Sequence, residues 1–178
     1  MLKVLTDERI YEQVIQEGAR RAKHSLWIAT ANVRDFFMSF DTHTGPVLEM
    51  FEELCARKVD VRLLHSGVPT DTFLEDFKRR RQHLSEKYFQ MRRCTRVHFK
   101  IMLIDNRQAY IGSANLTGAG IGMRSGGRRN FELGIVTDDD AIMDDVAGYF
   151  LSVWEGDECP RCRLGDKCPV PLESPFGE

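Results

Sequence analysis

The sequence predicts an α/β domain, a mixed and mostly parallel β-sheet flanked by helices on both faces. Three observations carry this. The apolar segment Ser25–Thr30, a helical stretch after Gly45-Pro46 and a second apolar segment at 59–65 follow one another as strand, helix, strand, which favours parallel pairing. Two further apolar segments, 96–105 and Gln108–Gly112, meet at Asp105-Asn106-Arg107, a hairpin-like turn. A last strand at 131–137 runs into Asp138-Asp139-Asp140. These acids open a helix that reaches about Trp154, and they suit the positive end of its dipole.

Taken in order, residues 7–23 place Ile10, Val14, Ile15, Ala19 and Ala22 at helical spacing. Ser25–Thr30 reads Ser-Leu-Trp-Ile-Ala-Thr, a buried strand. Pro46 opens a helix with Val47, Met50, Phe51, Leu54 and Cys55 on one side. Residues 68–91 intersperse Phe73, Leu74, Phe77, Leu84, Tyr88 and Phe89 with a basic run. They read as a helix followed by a mobile or ligand-facing loop. A glycine-rich loop at 118–127 contains Arg124, with Arg128 and Arg129 behind it.

At 178 residues the chain is long enough for one domain with a proper core. The expected division is residues 1–155 as the α/β unit and 156–178 as a Cys-rich tail, weakly ordered over 169–178. No apolar run is long enough to span a membrane, and Asp7-Glu8 comes too early for a signal peptide. A cytoplasmic address is therefore expected, with the five cysteines as thiols or metal ligands rather than disulfides. The net charge of −2 hides a segregation. Residues 78–129 hold thirteen Lys and Arg against only Glu86 and Asp105, and the rest of the chain is acidic. A basic window attracts polyanions, although a run such as Lys78-Arg79-Arg80-Arg81 serves equally well as a solvated helix face.

Within that window lies His98-Phe99-Lys100, then Ile101 to Ile104, then Asp105: His-x-Lys-x4-Asp. Alternation along a strand puts His98 and Lys100 on one face, about 7 Å apart. An imidazole beside a fixed ammonium suits the grip and attack of a phosphodiester. Gly112-Ser113-Ala114-Asn115 then adds a hydroxyl and an amide after the next strand.

His-x-Lys-x4-Asp followed by Gly-Ser-x-Asn resembles the signature of the phospholipase D superfamily, the HKD phosphodiesterases. The later block Asn130-Phe131-Glu132-Leu133-Gly134 is similar too, so the resemblance runs from about Leu26 to Trp154. Only one copy of the motif is present, as in the small Nuc-type bacterial endonucleases. The resemblance then implies a homodimer with one composite site, where two-fold symmetry brings two His98 residues together. It implies that one His98 attacks phosphorus to give a phosphohistidine, while the other protonates the leaving oxygen and then activates water. Lys100 and Asn115 would clamp the phosphoryl oxygens, so that no cofactor is needed for catalysis. Ser113 would stand behind them, and Glu132 would orient the imidazole. Asp105, at the far end of the strand, is expected to be structural.

Other residues weigh less. His24, His43, His65 and His83 belong to no recognisable motif in the sequence, and surface or core roles are expected for them. Asn32 and Arg34 are placed to line the site mouth, but loop polarity explains them as well. Arg124, Arg128 and Arg129 are candidate contacts to a nucleic-acid backbone, with a solvated loop as the plain alternative. The tail carries Cys159-Pro160-Arg161-Cys162 and Cys168, half of a zinc-type knuckle. Cys94 is a candidate fourth ligand, alongside Asp166, a histidine or a partner subunit. An iron–sulfur cluster suits the same thiolates, and unliganded thiols are the bland case.

Function is thus expected to be phosphodiester hydrolysis in nucleic acid, DNA or RNA, without a membrane partner. Two alternatives stand beside it. One is a phospholipase D or phosphatidyltransferase acting on lipid, and the other is a nucleic-acid-binding module with a vestigial site.

Overall fold

The computed structural model describes residues 1–121, 128–169 and 172. The predicted glycine-rich loop around Arg124 and most of the Pro-rich end lie outside the described residues.

A seven-stranded sheet runs in the order β1-β9-β8-β7-β2-β5-β6. Its strands are β1 (Leu2–Thr6), β2 (Ser25–Thr30), β5 (Asp60–His65), β6 (Phe89–Arg93), β7 (Lys100–Ile104), β8 (Gln108–Gly112) and β9 (Leu133–Thr137). A two-stranded ribbon, β3 (Phe37–Ser39) and β4 (Thr44–Pro46), stands apart. Pairing is parallel in β2·β5 and β5·β6 and antiparallel elsewhere in the sheet. Only β7 and β9 oppose the other five strands, so the sheet is mixed with one dominant direction.

Alternation along the strands builds a core on each face. Leu26, Ile28, Val61, Leu63, Met102, Ile104 and Tyr110 point to one side. There they meet α2 (Val47–Ala56) and α3 (Asp71–Arg80), through Met50, Phe51, Leu54, Phe73 and Phe77, together with Ile10, Val14 and Ile15. Ala29, Leu64, Ile101, Leu103 and Ala109 point the other way, onto Met143, Phe150, Val153 and Trp154 of α4 (Asp140–Trp154). The acid run works as expected at this helix: Asp139 caps it, accepting from the Ile142 N–H at 3.1 Å.

Three stretches differ from the sequence expectation. The helix over 7–23 is broken into α1 (Glu8–Ile10), a wide turn at Tyr11–Gln16 and a tight turn at Ala19–Arg21. Gly18 sits at the break, where an added Cβ would come within 2.7 Å of Ile104 Cδ1. Close approach to the sheet overrides the helical spacing there. The loop expected after α3 contains β6, in which buried Phe89 and Met91 alternate with Gln90 and Arg92. Its charges suit an edge strand, and they mask the period in sequence. Finally β7 begins at Lys100 rather than at 96, because Cys94 to Val97 make a turn closed by Val97 N–H to Cys94 O at 3.0 Å.

Candidate active site

Strand direction and register bring the sequence-marked residues to one end of the sheet. The carboxyl ends of β2, β5 and β8 and the amino ends of β7 and β9 all lie there. In open α/β sheets the carboxyl ends of parallel strands are where ligands bind. Lys100 pairs with Gly112 of β8, and Ala29 of β2 pairs with the next residue, Ile101. Lys100 therefore lies between the segment that leads to Ser113 and Asn115 and the end of β2 at Thr30.

His98 is exposed, two residues before β7, and no described residue hydrogen-bonds its imidazole. Lys100 Nζ turns back to donate to the His98 carbonyl at 2.6 Å, leaving further donors for a ligand. Asn115 is fixed more firmly. Its Oδ1 accepts from Ala31 N and Asn32 N, each at 3.1 Å, and from Thr30 Oγ1 at 3.3 Å. Backbone N–H groups only donate, so the atom facing them must be the amide oxygen. The two Nδ2 protons then point away from the backbone.

Thr30 is the residue that sequence reasoning missed. It is 1 % exposed, and its hydroxyl also accepts from Leu116 N at 3.0 Å, which ties the Asn115 loop to the end of β2. The available signal was a hydroxyl closing an otherwise apolar strand. Asn32 enters the site through its backbone, as one of the donors that lock Asn115.

Ser113 Oγ donates to Glu132 Oε2 and accepts from Leu133 N at 3.1 Å. The other Glu132 oxygen accepts from Asn130 Nδ2 at 3.0 Å. Glu132 is thus committed to Ser113 and Asn130, and within one copy of the chain no hydrogen bond joins it to His98. Asp7 also clamps the Glu132 backbone, accepting from Glu132 N at 3.1 Å through Oδ1. Asp105 lies at the opposite end of β7, about 17 Å away by strand rise. With Asn106 it forms the hairpin turn, at φ 55° and 51°, closed by Arg107 N–H to Ile104 O at 3.0 Å. Its carboxylate accepts from the backbone N–H groups of Lys23, His24 and Ser25 at 2.7–3.0 Å. Partial burial would raise its pKa, but these three donors outweigh it and hold the carboxyl below the usual range.

Part of the basic window is paired with acids in space. Arg80 pairs with Glu52 and Asp76, Arg79 with Asp76, Arg81 with Glu86 and Arg92 with Glu155. Arg129, a candidate substrate contact, is drawn to Asp7 and Glu8 of the N-terminal segment. Arg128 is exposed, and Arg124 lies outside the described residues. Most acids that neutralise the window come from outside it in sequence, so a local charge count overstated the field.

The tail thiols Cys159, Cys162 and Cys168 do meet Cys94, around one cavity. Among the described residues, no three His, Cys, Asp or Glu side chains already enclose an ion position, these thiols included. No described helix is long and apolar enough to cross a membrane.

Comparison with solved structures supports the fold. Nuc from Salmonella typhimurium, a phospholipase D family member, superposes with a TM-score of 0.61 at 14% identity, over 87% of this chain and 95% of Nuc. NucT from Helicobacter pylori gives 0.60 at 16% identity, over 87% and 97%. The phosphatidylserine synthase of Haemophilus influenzae gives 0.56 at 12% identity, over 85% of this chain but 39% of that one. At such identities the likeness speaks for the fold alone. No curated relative matches the chain. The family model described as the PLD-like domain of cardiolipin synthase matches residues 15–154, most of the chain, and the protein belongs to that phospholipase D-like family.

Proposed function

We propose that the protein is a metal-independent phosphodiesterase that cleaves nucleic acid at a site shared by two copies of the chain. The observation that carries this is the convergence of His98, Lys100 and a locked Asn115 at one sheet end. In the first step His98 Nε2 of one copy attacks phosphorus. The P–O bond to the leaving group breaks, and the departing oxygen takes a proton from His98 of the second copy. That now neutral imidazole removes a proton from water, whose oxygen attacks phosphorus and breaks the P–N bond. The first His98 is released with its electron pair. Lys100 and the Asn115 amide, from both copies, hold the equatorial oxygens throughout, where fixed donors stabilise developing charge. Ser113 keeps this end of β8 in register with the Glu132 segment.

Pairing of two copies is supported by apolar side chains left in solvent beside the site. Phe131 is 93% exposed next to Glu132, and Val4 and Leu133 share one face of β1 and β9, both exposed. A contiguous exposed apolar patch is a common mark of an interface.

Nucleic acid is favoured over lipid by the architecture of the structural neighbours. The chain spans nearly all of Nuc and NucT, as a single-motif member would, but less than half of the phosphatidylserine synthase. TrmBL2, an archaeal chromatin protein whose structure is described as showing a novel mode of DNA binding, shares the fold with a TM-score of 0.56. The lipid reading keeps one point in its favour, the cardiolipin synthase description of the matching family model.

The test is cleavage of supercoiled plasmid and of single-stranded DNA and RNA in EDTA, with a phosphatidylglycerol turnover assay in parallel. Nicking that disappears in His98→Ala supports the proposal. Lipid turnover without nicking overturns it in favour of the transferase, and binding without any turnover leaves a vestigial binding module.

A further inference from the structure

Four of the five cysteines gather where the phosphodiesterase reading gives them nothing to do. Cys94 directly follows β6, its N–H bonded to His65 O at 2.9 Å. It opens the turn that delivers the chain to His98 four residues later. At the other end of the sequence, α4 ends at Trp154, whose carbonyl accepts from Arg92 at 2.6 Å. Gly156, at φ 85°, then turns the chain back over the β6–β7 connection. Cys159 and Cys162 close one tight turn, with Cys162 N–H to Cys159 O at 3.0 Å. Cys168 closes the next, with its N–H to Gly165 O at 3.0 Å. Cys94, Cys159, Cys162 and Cys168 line a single cavity of about 70 Å³, bounded also by Leu164 and Leu172. All four are free thiols.

We propose that Cys94, Cys159, Cys162 and Cys168 bind one zinc ion, which fastens the C-terminal tail to the turn that leads into His98. The donor chemistry fits. Cys-x2-Cys on a tight turn with two more cysteines is a closed structural set, with no position left for substrate. Arg96 and the N–H groups of Leu164 and Gly165 are directed at Cys162. Donors of this kind are what stabilise a metal-bound thiolate from the outside. Zinc bonds of about 2.3 Å would draw the sulfurs to roughly 3.8 Å of one another. The fifth cysteine, Cys55, is a residue of α2 buried in the other core cluster and takes no part.

This inference is independent of the phosphodiesterase reading, since it is read from metal content and spectra and not from activity. The full-length chain is purified without added metal, and zinc is measured by elemental analysis and by release with a thiol-blocking reagent. One zinc per chain is expected, retained in Cys55→Ser and lost in Cys94→Ser and in Cys168→Ser. Because a ligand variant that fails to fold also loses zinc, the native chain is in addition stripped and reloaded with cobalt under anaerobic conditions. Thiolate-to-cobalt charge transfer with intense tetrahedral d–d bands is expected. Absence of both zinc and the cobalt spectrum overturns the proposal. So does iron with labile sulfide, a disulfide among these cysteines in freshly prepared protein, or full zinc content in folded Cys94→Ser.

Discussion

The side-chain oxygen of Asn115 lies 3.1 Å from the backbone nitrogen of Asn32, a contact that spans 83 residues of sequence. It makes Asn115 a donor of known orientation, because the oxygen is consumed by the end of β2 and only the Nδ2 protons remain. Asn115→Asp keeps an acceptor for Ala31 and Asn32 but replaces the donor with an anion. We expect its unfolding free energy to stay within about 1 kcal/mol of the native value. Phosphodiester cleavage should fall by on the order of 10²–10³, the usual cost of losing one transition-state donor. Asn115→Ala should also lose about 1–3 kcal/mol of stability, from the backbone groups left unpaired. Single-turnover rates beside urea melts separate the two effects. An Asp variant as active as native protein would remove Asn115 from the chemistry.

His98 separates activity from stability in the other direction. The imidazole is exposed and makes no hydrogen bond to a described residue, so folding does not depend on it. His98→Ala should melt within the ±0.5 kcal/mol typical of surface changes. Its cleavage rate should drop by at least about 10³, as when a nucleophile is removed. Acid-labile, base-stable labelling of the native chain by a phosphodiester substrate, absent in the variant, checks the covalent step. Undiminished turnover in His98→Ala contradicts the mechanism outright.

Asp105 belongs to the motif by sequence and to the scaffold by structure. Asp105→Ala leaves three backbone N–H groups without their acceptor and should cost about 1–2 kcal/mol, a value reduced for the partial exposure of the carboxylate. The same bonds set a pH window. The folded-state carboxyl titrates below its unfolded value of about 3.9, so the folded state holds its contribution in full above that pH. It is lost as pH falls through the lower folded value, and the native and Asp105→Ala melts should converge there. Residual activity of the variant under native conditions should stay near normal. A pH-independent gap between the two melts would show that the backbone bonds are not the cause.

What the sequence made legible follows from where the information resides. The motif residues, the strand at Ser25–Thr30, α2 and the acid run that opens α4 depend on local spacing and chemistry, and all were readable. β1 and β6 were not, because β1 is short and three of its five residues are apolar without strict alternation, while the period of β6 is masked by Gln90, Arg92 and Arg93. The partners that fix the site were equally hidden. Thr30 to Asn115, Asp7 to Glu132 and Arg129 to Glu8 are contacts between distant segments that no local pattern encodes. The same holds for part of the basic window, where Arg80, Arg92 and Arg129 meet Glu52, Glu155 and Glu8 from other parts of the chain.

If two copies share the site, the exposed patch beside it is the place to break them apart. Phe131→Asp with Leu133→Lys changes side chains that are 93% and 60% exposed in one copy, so the fold should tolerate both. Sedimentation should show a dimer for the native chain and a monomer for the double variant. Cleavage should vanish, while the melt of the separated chain stays cooperative. Full activity from a monomer would dismantle the composite site.

Tyr110 and Gly134 test how tightly the scaffold sets the Glu132 segment. The Tyr110 ring lies across the two glycines at the sheet end. A Cβ at Gly134 would meet Tyr110 Cε2 at 2.4 Å, and one at Gly112 would meet its hydroxyl oxygen at 2.3 Å. Burial pushes the phenol up to about 12, so the ring stays neutral and packs as a large apolar group with a polar tip. Gly134→Ala therefore has no room and should cost about 1–3 kcal/mol, as overpacking does. Because Gly134 adjoins Leu133, the shift should also disturb Glu132 and its bond to Ser113, and lower cleavage. In a Tyr110→Ala background the obstruction is gone, and the further cost of Gly134→Ala should shrink to a few tenths of a kcal/mol, a clear departure from additivity. Urea midpoints of the four chains measure this, and equal costs in both backgrounds would mean that the ring is not what reserves the glycine.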